Sequence, residues 1–171
     1  MTAQVTELFS RFNMATILGI DPGSIKTGFG IIESNRGEST YISSGVIRLK
    51  SNDFTLRLRE IFFSILELIE KYCPDELAIE QVFMSKNASS ALKLGHARGA
   101  AIVACASKDI KVYEYSSREI KKAVVGTGAA EKSQVQHMVK VLLGLSANPA
   151  EDAADALGAA ICHIHKTYRV H

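Results

Sequence analysis

The sequence predicts an α/β domain built on a mixed sheet of about five strands with helices on its faces. Three short apolar stretches follow one another in the first 50 residues with only brief turns between them, which favours antiparallel pairing. The spacing of apolar residues then changes to three and four, which is typical of amphipathic helices. Two later strand-like segments alternate with helical ones, and strands joined through helices pair in parallel.

The first half of the chain provides four strands and one helix. We expect strands at 16–20, 28–34 and 40–50, because these segments are short, apolar and rich in β-branched residues, and a turn at 35–38. The next segment carries apolar residues at helical spacing: Leu58, Ile61, Phe62, Ile65, Leu66 and Ile69. Asp53 suits the N-cap of this helix, and Pro74 lies just past its end. A fourth strand is expected at 76–83.

The second half of the chain is mainly helical. We expect a fifth strand at 111–115 and helices at 88–107, 116–126, 129–145 and 148–168. The last helix has a strong start signal, because Asn148 suits the N-cap, Pro149 the first helical position and Glu151 the third.

Composition places the chain among ordinary globular proteins, with 47% apolar and 22% charged residues. We expect one domain over 14–168 and a disordered N-terminal extension over 1–13. Neither a secretory signal nor a membrane-spanning segment is recognisable, so we expect a cytoplasmic protein without a membrane partner.

Three scattered cysteines, Cys73, Cys105 and Cys162, favour a reducing compartment over a disulfide framework. Cys162, His163 and His165 carry metal-binding atoms, but a structural or surface role is the more common fate of such residues. Lys and Arg outnumber Asp and Glu between 81 and 132, although the net charge is only +2. This excess is compatible with a polyanionic partner or with a solvated face.

Four carboxylates occupy unusual positions. Asp21 ends the first strand and Glu80 follows the apolar run of the fourth. Asp152 and Asp155 project from one side of the last helix, which is otherwise rich in Ala and Gly and can therefore lie close to the sheet. Because ligands collect beyond the carboxyl ends of strands in open α/β sheets, we expect the four side chains to converge there.

Converging carboxylates repel one another unless cations neutralise them. Oxygen ligands alone favour Mg²⁺ or Mn²⁺ over zinc, and two such ions about 4 Å apart would suit phosphodiester hydrolysis. Taken singly, three of the acids have another interpretation: Asp21 as a turn residue before Pro-Gly, and Asp152 and Asp155 as solvated residues of a helix start. The combination with Glu80 favours a metal site.

Four blocks of sequence carry a resemblance to a known family: GIDPGSIKTGFGII, AIEQVFMSKNASSALKLGHARG, VVGTGAAEKSQVQHMV and NPAEDAADALGAAICH. Their content and order resemble the RuvC family of bacterial Holliday junction resolvases over about residues 14–166. The resemblance implies an RNase H-like fold and a homodimer that makes paired, Mg²⁺-dependent nicks in a four-way DNA junction. It further implies ligatable 5′-phosphate and 3′-hydroxyl ends, and RuvA–RuvB as partners.

The resemblance also implies roles for individual residues. Asp21, Glu80, Asp152 and Asp155 match the family's catalytic, metal-binding acids. Phe83 matches an aromatic residue that contacts junction bases, although a core position is an equal alternative. Lys121 and Lys132 match basic residues near the scissile backbone, where they would bind phosphate, although many lysines only face solvent.

Gly95 and Gly99 lie one turn apart in the predicted helix at 88–107. Their absent side chains allow another element to approach closely. We favour packing of this helix on the sheet, whereas the resemblance places the dimer contact in this region. A two-fold dimer would present two equivalent sites to a two-fold substrate.

Three other kinds of protein are alternatives to a nuclease. The segment GTGAAEKS lacks the glycine before Lys-Ser and the preceding strand of a P-loop, so we reject a P-loop NTPase. The first strand and turn also resemble a phosphate loop of actin-like ATPases, but 171 residues provide only one of the two lobes. A non-catalytic junction-binding module would have no need of the four acids together.

Overall fold

A computed structural model of the chain describes residues 14–82 and 87–168. Its five strands are β1 (Met14–Asp21), β2 (Lys26–Asn35), β3 (Glu38–Arg48), β4 (Glu76–Glu80) and β5 (Lys111–Tyr115). They form one sheet in the order β3-β2-β1-β4-β5. The antiparallel pairs β1–β2 and β2–β3 and the parallel pairs β1–β4 and β4–β5 confirm the expected mixed sheet. The extension predicted at 1–13 lies outside the described residues.

The described helices are α1 (Phe54–Tyr72), α2 (Ala88–Ala106), α3 (Ser117–Val125), α4 (Lys132–Leu142) and α5 (Glu151–Thr167). Asp53 caps α1 as expected, because its side chain accepts a hydrogen bond from the Leu56 amide at 2.9 Å. The helix ends at Cys73, whose backbone is left-handed with φ 46°. Ser116 and Glu119 cap the start of α3 reciprocally.

Two expected helix starts are wrong. α5 begins at Glu151, not at Asn148, and Ala150 precedes it without a side-chain cap. The Pro149 carbonyl accepts a hydrogen bond from the Gln136 side chain at 2.6 Å, so this residue ties the loop to α4 and does not open the helix. α4 begins at Lys132, not at residue 129, because Glu131 and Gln134 form its capping box.

Helices cover both faces of the sheet. Alternate residues of β1 therefore enter two different cores: Leu18 and Ile20 pack with α1 and α2, and Ile17 packs with α3, α4 and α5. All three side chains are fully buried. This two-sided burial explains why the strand reads as a continuous apolar run without alternation.

The packing expected for the glycines of α2 is wrong. A Cβ atom built on Gly95 or Gly99 meets no described atom within 4 Å. The helix packs through the opposite side, where Ala97 and Ala101 are fully buried. The two glycines therefore belong to an open face of α2.

His163 holds a structural position inside α5. Its ring is fully buried and bonds to the Tyr115 hydroxyl at 2.6 Å and to the Glu76 carboxylate at 2.7 Å. Cys162 is also buried, with a free thiol. The preference for a structural role over a metal site at these two residues is therefore supported by their surroundings. Within the part of the chain that the structure describes, no helix is long and apolar enough to cross a membrane.

Candidate active site

Asp21 and Glu80 end neighbouring strands at the same edge of the sheet. β1 and β4 run parallel with Ile20 opposite Ile79, so the next residues along each strand are the two acids. Both side chains are partly buried. The strand pairing thus brings together two carboxylates that lie 59 positions apart in the sequence.

α5 carries the other two acids to this edge because glycines of β1 and β2 lie where its backbone comes closest to the sheet. A Cβ atom on Gly28 would lie 2.0 Å from the Asp152 carbonyl oxygen, and one on Gly19 would lie 2.0 Å from that of Ala156. Neither glycine can therefore be replaced without moving the helix. The small residues of α5, from which this close packing was predicted, do not account for it alone, because the strand glycines contribute as well. A glycine within a strand is a signal in the sequence for such a close approach.

A pocket of about 220 Å³ opens between the strand ends and the helices. Its lining combines acids, lysines and a few neutral side chains: Asp21, Glu80, Asp155, Lys121, Lys132, Ser117, Ile120 and Val135. Five of these residues were predicted as site residues from the sequence. Two further residues were predicted: Asp152 does not line this pocket, and Phe83 lies outside the described residues.

Two lysines pair with the carboxylates of α5. The Lys26 ammonium lies 2.5 Å from an Asp152 side-chain oxygen. Lys132 forms an ion pair with Glu151 and approaches an Asp155 oxygen to 3.8 Å. Lys26 was not predicted as a site residue, since a lysine at the start of a strand has no distinguishing pattern and meets Asp152 only through the fold.

Burial and mutual repulsion disfavour negative charge in the pocket. Burial, reinforced by the charges of Asp155, Glu80 and Asp152, raises the pKa of Asp21 to about 8, against the opposing effect of Lys132. Burial likewise raises the pKa of Glu80, although a hydrogen bond with Ser117 opposes the shift.

Asp155 follows the same pattern. Burial raises the pKa of its carboxyl, and the nearby ammonium of Lys132 only partly offsets this effect. Burial thus disfavours the charged form of all three acids that line the pocket.

The carboxylate oxygens of these acids suit a hard divalent cation, although the side chains are not arranged around one in this structure. Among the described residues, no three His, Cys, Asp or Glu side chains stand together in a geometry that could hold a metal ion. The carboxylates nevertheless lie close enough to alter one another's pKa, and a cation would relieve the repulsion that raises the pKa of Asp21. Ion binding by Asp152 would require its carboxylate to turn away from Lys26.

Comparisons with known proteins agree on one family. The model of the family described as "Crossover junction endodeoxyribonuclease RuvC" matches residues 17–163. Proteins of that name from Saccharophagus degradans and Shewanella sediminis are each 60% identical to this chain; for both, the match covers 89% of this chain and 88% of the relative.

A solved structure shares the architecture as well. The structure described as T. thermophilus RuvC in complex with Holliday junction substrate superimposes with a TM-score of 0.81 at 30% identity. The superposition covers 87% of this chain and 92% of that one. With this agreement the RNase H-like fold expected from the resemblance is confirmed. The chain belongs to the RuvC family of crossover junction endodeoxyribonucleases.

Proposed function

We propose that this enzyme resolves four-way DNA junctions by paired, symmetric phosphodiester hydrolysis, in homologous recombination and DNA repair. Membership of the RuvC family supports the proposal, as does the relative from T. thermophilus, which was solved with a Holliday junction. The observation that carries it is the meeting of Asp21 and Glu80 at one sheet edge, with Asp152 and Asp155 on the helix above. We further propose nicks with ligatable 5′-phosphate and 3′-hydroxyl ends.

We propose Mg²⁺ as the cofactor, with two ions in each site and Mn²⁺ as a substitute. The residues that would hold them are Asp21, Glu80, Asp152 and Asp155. Bound ions of this kind lower the pKa of water and neutralise the charge that develops on the scissile phosphate. The protein's own contribution is to bring Asp21, Glu80 and Asp155 to one pocket, in which Asp21 is partly buried, and to carry Asp152 on the same helix as Asp155.

Two lysines of the pocket have a proposed role in binding DNA. Lys121 and Lys132 lie on the side of the pocket formed by α3 and α4, beside the acids. Ammonium groups in this position would hold the phosphates that flank the scissile bond and would contribute affinity without base selection. Phe83, three residues beyond Glu80, stays a prediction as an aromatic that stacks on junction bases.

A homodimer would present two such sites to the two-fold junction. α2 offers an open apolar stripe for this contact: Leu92, Gly95, Gly99 and Val103. These residues repeat at intervals of three and four, and Leu92 and Val103 are 65% and 57% exposed. The glycines would allow two copies of α2 to approach closely. RuvA–RuvB as a partner and the cytoplasm as the location stay predictions.

The test incubates the full chain with a synthetic four-way junction, first in EDTA and then after addition of Mg²⁺. We expect binding in EDTA and two symmetric nicks with Mg²⁺, which ligase reseals. Asp21→Asn should abolish nicking and leave binding intact. Asp109→Asn is the matched control, because Asp109 lies in an exposed turn before β5, at the opposite sheet edge. Its backbone has φ 57°, a left-handed conformation that Asn tolerates.

Three outcomes would contradict the proposal. Binding without nicking by the wild type would indicate a junction-binding module. ATP turnover without DNA would indicate an ATPase. Equal nicking by the wild type and Asp21→Asn would remove Asp21 from the reaction.

A further inference from the structure

We propose that Lys26 is the counterion of Asp152 and that a divalent cation must displace it. Lys26 thereby sets the cation concentration at which the proposed metal site fills. The inference rests on the proposed function, because it assumes that Asp152 is a metal ligand. It assigns a positioning role to a residue that lies outside the pocket lining and outside the family's acidic set.

The fold brings Lys26 to Asp152 without help from sequence proximity, since the two residues are 126 positions apart. Lys26 is the first residue of β2, and Gly28, two residues further on, lies directly beneath the backbone of Asp152. Residues at positions i and i+2 of a strand face the same side of a sheet, so Lys26 and Gly28 both face α5. Its ammonium therefore reaches Asp152 from the sheet, at 2.5 Å.

The ammonium and a divalent cation compete for the same oxygen lone pairs. While Lys26 holds the Asp152 side chain, that carboxylate is turned to the ammonium, and among the described side chains no three potential ligands are arranged to hold an ion. An arriving cation also meets the positive charge of Lys26 at short range. Removal of the Lys26 charge should therefore raise the affinity of the site for the cation.

Displacement of Lys26 requires only a side-chain rotation. The Lys26 side chain is 49% exposed and that of Asp152 20% exposed, so the freed ammonium can turn into water without movement of β2. Exposed ion pairs of this kind are weak, and competition by Lys26 should therefore adjust metal affinity and not abolish binding.

Lys132 differs from Lys26 in its partners. It pairs with Glu151 on the rim and stands 3.8 Å from Asp155, so it keeps a carboxylate partner if Asp155 turns to a cation. By contrast, Asp152 can turn to a cation only if its ion pair with Lys26 opens. This contrast singles out Lys26 as the competitor.

The test measures Mn²⁺ binding to the metal-free full chain without DNA, by the loss of the free-ion signal in electron paramagnetic resonance. We expect Lys26→Gln to bind Mn²⁺ about two- to fivefold more tightly than the wild type, as the loss of a weak exposed pair allows. Lys26→Arg retains the charge and should match the wild type. Lys108→Gln is the control for net charge, since Lys108 is exposed in the turn before β5, at the other end of the sheet.

Each outcome is decisive. Equal affinity of Lys26→Gln and the wild type would overturn the role of Lys26 and leave the proposed function standing. An equal gain with Lys108→Gln would make the effect one of net charge and would overturn it too. If the wild type binds no Mn²⁺ and Asp21→Asn changes nothing, the metal site fails together with the inference. Loss of junction affinity in EDTA with unchanged Mn²⁺ affinity would make Lys26 a phosphate contact instead.

Discussion

Gly28 lies directly beneath the backbone carbonyl of Asp152, so close that a Cβ atom on Gly28 would stand 2.0 Å from that oxygen. The contact joins β2 to the first turn of α5, which carries Asp152, and lies one turn before Asp155. The position of two candidate metal ligands therefore depends on a hydrogen atom in place of a side chain. No rotation of a side chain can relieve the clash, because the opposing atom belongs to the backbone.

Gly28→Ala should therefore displace the start of α5. We expect a loss of about 1–3 kcal/mol in the free energy of unfolding, typical of an overpacked site, and a larger loss of junction cleavage. Urea denaturation and a nicking assay measure the two effects. We expect activity to fall further than stability, because the metal-binding side chains tolerate smaller displacements than the packing of the core does.

Ser34→Ala is the control in the same strand. The Ser34 hydroxyl is buried and has no hydrogen-bond partner among the described residues, so its removal should leave stability unchanged or slightly raised. Unchanged cleavage by Gly28→Ala would contradict the dependence of the site on this contact.

The raised pKa of Asp21 makes stability depend on pH. The folded protein holds this proton up to a pKa of about 8, whereas the ordinary value is 3.8. Between these values the folded state binds more protons than the unfolded state, so the free energy of unfolding should fall as the pH rises. One such group contributes a slope of at most about 1.4 kcal/mol per pH unit.

Urea denaturation in EDTA between pH 5 and 8 measures this slope. Asp21→Asn cannot ionise and should show a smaller decrease than the wild type over the same range. Saturating Mg²⁺ should also flatten the wild-type curve, because a bound cation stabilises the ionised carboxylate. Parallel curves for the two proteins in EDTA would be incompatible with a protonated Asp21.

Lys121 and Lys122 are neighbours on α3 with different surroundings. Lys121 lines the acidic pocket, whereas Lys122 is exposed and lies outside the described lining. Lys121→Gln should weaken junction binding and lower the slope of log affinity against log salt by about 0.9, the contribution of one phosphate contact. Lys122→Gln should leave the slope unchanged.

Binding titrations in EDTA at several salt concentrations distinguish the two lysines. Equal effects of the two substitutions would mean that α3 acts only through its general positive charge. Lys132→Ala should resemble Lys121→Gln and should in addition lower turnover, since Lys132 also approaches Asp155.

The open stripe of α2 predicts the site of dimer formation. Val103→Asp would place a charge at the proposed contact between two apolar surfaces and should convert the proposed dimer to a monomer in sedimentation velocity. Val141→Asp is the matched control, because Val141 is similarly exposed, at 56% against 57%, but lies on α4. Dissociation by both substitutions, or by neither, would argue against the α2 stripe as the interface.

The order of strands and helices was predictable from local patterns. Apolar runs with β-branched residues indicated the first strands, and three- and four-residue spacing indicated α1, because each pattern reflects burial within one element. The starts of α4 and α5 were not predicted correctly. The motif at Asn148 and Pro149 suits a helix start, but a hydrogen bond from Gln136, distant in sequence, takes up the Pro149 carbonyl.

The sequence by itself determined the fold class, the family and the identity of four acids whose types suit a hard cation. Only the tertiary structure decided that Gly28 admits α5, that Lys26 pairs with Asp152 and that Gly95 and Gly99 face away from the sheet. The physical reason is the distance along the chain over which each interaction acts. Burial periodicity and capping act within one element, so they can be read from residues that are close in sequence. The contacts of Gly28 and Lys26 join segments that are distant in sequence, and no local pattern indicates how close these segments come in the fold.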